Sequence, residues 1–87
     1  MRLITFESSA FEDFGEWSEF DRKVFKRIRG LIIETARTPF EGTGKPEPLK
    51  GNYRGCWSRR ITGEHRLIYR VTENAIEIIS CRGHYED

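Results

Sequence analysis

The strongest constraint on this chain is a change of hydrophobic period across one stiff segment, Gly44-Lys45-Pro46-Glu47-Pro48-Leu49-Lys50. Before it, apolar residues recur at helical spacing; beyond it they alternate with a period of two. Such a chain has to lay helices from its first half against a sheet drawn largely from its second. Within the segment, Pro46 and Pro48 fix their own φ and bias Lys45 and Glu47 toward extended backbone. Glu47 is therefore a carboxylate held in a stiff loop. The residues alone allow that loop to be either a rigid helix-to-strand connector or part of a site.

Residues 1–6 alternate Leu3 and Thr5 with Ile4 and Phe6, and read as a short strand with apolar groups toward both faces, hence a central one. Ser8 or Ser9 is a candidate N-cap for a first helix over residues 9–19, where Ala10, Phe11, Phe14 and Trp17 recur at helical spacing. Acidic residues in its opening turns suit the helix dipole. Asp21 can cap a second helix, whose apolar stripe of Val24, Phe25, Ile28, Leu31, Ile32, Thr35 and Ala36 ends by residue 37, ahead of Pro39. Phe40 is expected to fold back onto the core, while Arg22, Lys23, Lys26, Arg27 and Arg29 fall largely on the wet side of the helix.

Three strands follow, over residues 54–61, 65–72 and 75–82. Thr62-Gly63-Glu64 and Glu73-Asn74 are connections short enough for hairpins, which makes these strands an antiparallel meander. In the middle strand Leu67, Tyr69 and Val71 share one face, and Arg66, Ile68 and Arg70 the other. With the helices over the first set, the arginines line an open face. The reading is an α+β fold in the order β-α-α-β-β-β, with a mostly antiparallel sheet and a short tail Gly83-His84-Tyr85-Glu86-Asp87.

At 87 residues the chain has room for one domain, spanning residues 1–87. Charged residues make up 33% but are of mixed sign, and apolar residues at 37% supply a core, which excludes a disordered polyelectrolyte. No apolar run approaches a membrane span, and residues 1–6 pass directly into charged residues without a signal-peptide core. The expected location is the cytoplasm, with no membrane partner. There Cys56 and Cys81 are expected to stay reduced and buried. The net charge of +1 conceals a segregation: residues 1–44 carry −1, residues 45–70 carry +5 and residues 71–87 carry −3. Five arginines between Arg54 and Arg70, each with a fork suited to phosphate, make a local anion site in a chain that is not a general polycation.

Several chemistries are excluded by what the residues lack. Gly42-Thr43-Gly44-Lys45 has Pro46 where a phosphate-binding P-loop needs Ser or Thr, with no strand before it and no helix after. Cys56, His65, Cys81 and His84 carry zinc-binding atoms, and Cys81-x-x-His84 has ligand-like spacing, but the other two are far apart in sequence, so no metal is expected. A magnesium-dependent nuclease needs several carboxylates, and the basic segment offers Glu47 and Glu64. Ser-His-Asp chemistry has no nucleophile elbow, and no cofactor is expected.

Glu47, the arginines and His84 remain. A glutamate is ionised at neutral pH and can accept a proton, a histidine titrates near neutrality and can donate one, and arginine stabilises a phosphorane-like dianion without changing protonation state. Those roles suffice for metal-free RNA cleavage, in which a base activates the ribose 2′-OH and an acid protonates the departing 5′ oxygen. The residues leave plainer readings open: His84 as a surface side chain, and Arg66 as an ion-pair partner of Glu64 or Glu77.

Nearly the whole chain resembles the YoeB/Txe family of toxins, within the RelE-type superfamily of bacterial toxin–antitoxin systems. The resemblance rests on Arg37-Thr38-Pro39-Phe40-Glu41-Gly42, the segment 44–50, Trp57-Ser58-Arg59-Arg60-Ile61-Thr62, Glu64-His65-Arg66-Leu67 and Cys81-Arg82-Gly83-His84-Tyr85. It implies two helices packed on one face of a mostly antiparallel sheet, a RelE-like fold of the microbial-RNase type. It further implies a ribosome-dependent endoribonuclease that cuts mRNA in the A site without metal and is silenced by a cognate antitoxin. Glu47 then matches the family's general base, Arg66 its phosphate-stabilising arginine and His84 its general acid, while Lys50, Arg60 and Tyr85 match supporting positions with electrostatic, substrate-contact or stacking roles. A homodimer is left open, and operator DNA is a partner only indirectly, through the antitoxin complex. A non-cleaving ribosome-binding inhibitor and a topoisomerase-inhibiting toxin of the same fold are the rival readings. Gly83 stands where relatives commonly carry a bulky side chain, which predicts a looser approach to His84. Glu86 and Asp87 would favour protonated His84 if they lie close to it.

Overall fold

The computed structural model describes residues 1–84. A short strand β1 (Leu3–Phe6) leads into helices α1 (Ser8–Phe20) and α2 (Arg22–Arg37), and strands β2 (Glu47–Pro48), β3 (Cys56–Arg60), β4 (Arg66–Val71) and β5 (Ala75–Ser80) complete the chain. They form one five-stranded sheet in the order β1-β5-β4-β3-β2. Every pairing is antiparallel except that of β1 with β5, which is parallel.

The second helix follows its sequence pattern closely. Asp21 accepts hydrogen bonds from the backbone N–H groups of Lys23 and Val24 at 3.1 and 3.2 Å, a cap that contributes about 1 kcal/mol. Ile28, Leu31, Ile32, Thr35 and Ala36 are buried, and each of the larger aliphatic side chains contributes about 1.5–3 kcal/mol by leaving water. They pack with Ala10, Leu67, Tyr69, Ile76 and Ile78 into the main core between the helices and the sheet. The helix stops at Arg37, two residues before the buried Pro39.

Other elements depart from the expectations. β1 is an edge strand rather than a central one: Leu3 is 68% exposed, since the helices cover one face of the sheet and Leu3 is on the other. The first helix starts at Ser8 with Glu7 at the cap position and no side-chain cap, and its first turn contains no acidic residue. On that helix Ala10 is buried, whereas Phe11 stays largely exposed against the edge of Phe6. Phe40 does not join the main core; its ring packs at a tilt against Trp57, centroids 4.9 Å apart, and remains half exposed. The face expected to be open is also partly covered. Leu49, Cys56 and Ile68 form a second small apolar cluster there, flanked by Tyr53 from the 3-10 turn Gly51–Tyr53 and by Ile79. Cys56 thus lies on one side of the sheet and Cys81 in the main core on the other, both as free, buried thiols.

Candidate active site

The stiff segment around Glu47 is a connector and also the last strand of the sheet. Glu47 pairs with Ser58, and Arg60, two residues further along β3, pairs with Arg66 at the start of β4. Residues directly opposite one another in an antiparallel pair share a face, as do residues two apart on one strand. Glu47, Arg60 and Arg66 therefore project from the same face, the one away from the helices. From the strand spacing and rise, the Glu47 and Arg66 backbones are on the order of 10 Å apart, a gap their side chains can jointly span. Next in line, the backbone N–H of Arg66 donates to the carbonyl of Gly83 at 2.9 Å, which brings the exposed His84 alongside the start of β4. Lys50 is exposed at the foot of the turn that follows β2, where its carbonyl accepts from the Tyr53 N–H. Tyr85, the remaining supporting residue expected from sequence, lies outside the described residues, as do Glu86 and Asp87.

Arg66 pairs with neither Glu64 nor Glu77. Its Nη1 donates to the carbonyls of Thr62 at 2.7 Å, His65 at 3.1 Å and Gly63 at 3.4 Å, all in the turn between β3 and β4. That anchoring fixes the plane of a half-buried guanidinium whose bonds to described residues all run through one nitrogen. Glu77 instead pairs with Arg70 at 3.1 Å, so Arg70 is already neutralised on the sheet face.

Arg59 also leaves the set of phosphate-facing arginines. It points to the helix side with Trp57 and Ile61 and is fully buried. Its Nε donates to the Tyr69 hydroxyl at 3.3 Å, Nη1 to Glu34 Oε2 at 2.9 Å and the Thr43 carbonyl at 3.0 Å, and Nη2 to the carbonyls of Thr38 at 2.5 Å and Glu41 at 2.9 Å. A guanidinium has five N–H donors, and here each finds an acceptor. The Tyr69 hydroxyl in turn donates a hydrogen bond to the Pro39 carbonyl at 2.7 Å, and burial pushes its pKa up despite the opposing pull of Arg59. The Thr43 N–H donates to Glu34 Oε2 at 2.6 Å, and this bond, aided by Arg59 against the opposing effect of desolvation, holds the Glu34 carboxyl below its ordinary 4.5.

This knot shapes the chain that delivers Glu47. Gly44 adopts φ +86°, its carbonyl accepts the Arg60 N–H at 2.7 Å, and a side chain there would meet the Arg60 carbonyl oxygen at 3.0 Å. The segment from Thr38 to Gly44 is thus stitched to α2 and β3 immediately before the two prolines. Neither the buried Arg59 nor its partner Glu34 figured as a site-shaping residue in the sequence reading. Strand alternation carried the signal, since Arg59 shares its parity with Trp57 and Ile61.

The tail is held more tightly than a glycine before His84 suggested. Gly83 has φ +79°, a conformation open to glycine at little cost, and its N–H donates to His65 Nδ1 at 2.8 Å. Trp17 Nε1 donates to the Cys81 carbonyl at 3.0 Å, and Arg82 pairs with Glu16 at 3.0 Å and Asp13 at 3.7 Å. The Cys81 thiol is pushed up to about 12, chiefly by burial with Asp13 adding to it, so it stays protonated. Among the described residues no three His, Cys, Asp or Glu side chains gather where they could hold a metal ion, and no helix is long and apolar enough to cross a membrane.

Two helices on one face of a five-stranded mixed sheet are the architecture of RelE-like toxins. The chain belongs to the family described as YoeB-like toxin of bacterial type II toxin–antitoxin system, whose family model matches residues 6–85. It is similar to Toxin YoeB of Escherichia coli (strain K12), at 55% identity over 85 residues that cover 98% of this chain and 100% of the relative. Among solved structures, a YoeB/ParE toxin from Agrobacterium tumefaciens superposes with a TM-score of 0.91 at 46% identity, covering 98% of this chain and 100% of that one. YoeB from Staphylococcus aureus, solved as a dimer, gives 0.88 at 47% identity over 97% of this chain and 98% of that one, and in a YoeB–YefM complex gives 0.87 at 47% over 98% and 100%.

Proposed function

We propose that this toxin is an endoribonuclease that cuts mRNA in the ribosomal A site by acid–base catalysis, with no metal ion in the reaction, and so arrests translation. The observation that carries the reading is the line Glu47, Arg60, Arg66, His84 at one end of the sheet face turned away from the helices. Glu47 takes the proton from the ribose 2′-OH, O2′ attacks the adjacent phosphorus, and the P–O5′ bond breaks as His84 delivers its proton to O5′. The products are a 2′,3′-cyclic phosphate and a 5′-OH. Arg66, its plane set by the β3–β4 turn, stabilises the charge that builds on the phosphoryl oxygens, and Arg60 and Lys50 hold flanking phosphates. Tyr85 is assigned a contact with the substrate beside His84. DNA lacks the nucleophile. The ribosome supplies the mRNA in an extended, presented form that an open sheet face can meet.

The same reading assigns a cognate antitoxin that silences the toxin, in line with the YoeB–YefM complex of the S. aureus relative, and self-association in line with that relative's dimer. It also places the protein's action in the cytoplasm, where translating ribosomes are. Primer extension on a translated mRNA tests the reading. Codon-linked breaks made by the wild type and lost in folded Glu47→Ala and His84→Ala variants are expected, with a loss of about 100-fold or more for each group. Equal arrest of translation by those variants without any breaks would instead establish a non-cleaving inhibitor, and DNA damage without mRNA breaks would establish a topoisomerase-directed toxin.

A further inference from the structure

We infer that His65 is a positioning residue for His84, acting through its Nδ1 as a hydrogen-bond acceptor for the backbone of the tail. The inference rests on the nuclease reading and deepens it. His65 sits behind the tail, half-buried, with the Trp17 ring nearly perpendicular to its own and the ring centroids 4.9 Å apart. Its Nδ1 accepts the Gly83 N–H at 2.8 Å, one residue before His84.

The rest of its contacts make that acceptor rigid. The His65 N–H donates to Thr62 Oγ1 at 3.1 Å, its carbonyl accepts the Ile61 and Thr62 N–H groups at 2.9 and 3.2 Å, and the same carbonyl also receives Arg66 Nη1. Thus one residue fixes the Arg66 guanidinium with its carbonyl and the His84 backbone with its ring. The neighbouring Arg66 N–H to Gly83 carbonyl bond closes the other side of Gly83, so both polar groups of that glycine are held. Two residues earlier, Trp17 Nε1 donates to the Cys81 carbonyl and tethers the tail a second time. An imidazole that accepts at Nδ1 is neutral with its proton on Nε2, because an imidazolium donates from both nitrogens and accepts from neither. His65 therefore serves as a fixed acceptor, whereas His84 in the proposed reaction must donate. The two histidines of this chain divide those roles.

The Nδ1 position can be imitated. An asparagine side-chain oxygen reaches nearly the same place, whereas leucine fills the volume and accepts nothing. His65→Leu is expected to lower kcat for cleavage of ribosome-bound mRNA about 10- to 100-fold with KM within about twofold, the range that slight misplacement of a catalytic group produces. His65→Asn is expected to recover most of the loss. In the wild type, long-range 15N–1H spectra should show His65 Nδ1 unprotonated, and the Gly83 amide should exchange slowly with solvent, in the Asn variant as well but not in the Leu variant. A protonated Nδ1 in the wild type overturns the inference without any variant having to fold. So does a His65→Leu protein that cuts as fast as wild type, or one matched in its loss by His65→Asn. Wild-type protein that arrests translation without cutting would remove the nuclease reading and this inference together, whereas cutting that is indifferent to His65 removes the inference alone.

Discussion

At the scale of single residues, the side chains that shape the site are largely not those proposed to do its chemistry. Arg59 carries a charge into the core and survives there because five acceptors, the Glu34 carboxylate among them, surround it. Breaking a fully buried pair costs about 3–5 kcal/mol, and the cost here is smaller because the Glu34 side chain is 35% exposed. Glu34 gives the arrangement a pH signature. Its folded-state pKa lies below the ordinary 4.5, so the stabilisation it provides is present above that value and is lost as pH falls through the lower, folded one. The unfolding free energy of the wild type should accordingly decline on acidification in that window, and urea titrations across it should show a flatter profile for Glu34→Gln, which starts less stable at neutral pH. An equally steep acid limb in that variant would contradict the role given to Glu34. Here the sequence was legible in one respect and misread in another. Alternation correctly assigned Leu67, Tyr69 and Val71 to the covered face, but Arg59 was grouped by charge with Arg54, Arg60, Arg66 and Arg70, although its place between Trp57 and Ile61 puts it on the same covered face.

At the scale of elements, periodicity and capping read α2 and the β3-β4-β5 meander well because each is specified by its own residues. Asp21 caps, Pro39 follows the stop, and the hairpin connections are short. Elements that depend on distant partners were not legible in the same way. The edge position of β1 follows from its single neighbour β5, and the two-residue β2 exists because β3 offers a free edge to Glu47 and Pro48. Burial of Ile68 likewise required Leu49 to fold across from the far side of the segment. The Gly44 contact is the element-scale hinge of the site, for it hangs β2 from the Arg60 backbone. Gly44→Ala puts a side chain at φ +86° and against the Arg60 carbonyl; the strain should lower stability by about 1–3 kcal/mol. Displacement of Glu47 should lower kcat about tenfold or more with the fold retained by circular dichroism. A Gly44→Ala enzyme of undiminished rate would show that Glu47 is placed by other means.

At the scale of the whole molecule, the helices bury one face of the sheet and leave the other to carry charge beside a small apolar cluster, and the chain brings the proposed base and the proposed acid to that face from opposite ends of the β region. Glu47 arrives on the last strand of the order and His84 after the final residue of β5, with Arg60 and Arg66 on the strands between. The sequence showed the candidates, and resemblance to a family assigned their roles; the line across β2, β3 and β4 required the register. In the proposed mechanism the ribose 2′-OH is the nucleophile, activated without metal by Glu47. It is tested most directly by single-turnover cleavage of two mRNAs on programmed ribosomes, identical except for a 2′-deoxynucleotide on the 5′ side of the scissile bond. Rapid cleavage of the all-ribose message to 2′,3′-cyclic phosphate and 5′-OH ends is expected, and none of the deoxy-substituted one. Cleavage of the deoxy message at a comparable rate, or ends bearing a 5′-phosphate, would contradict it.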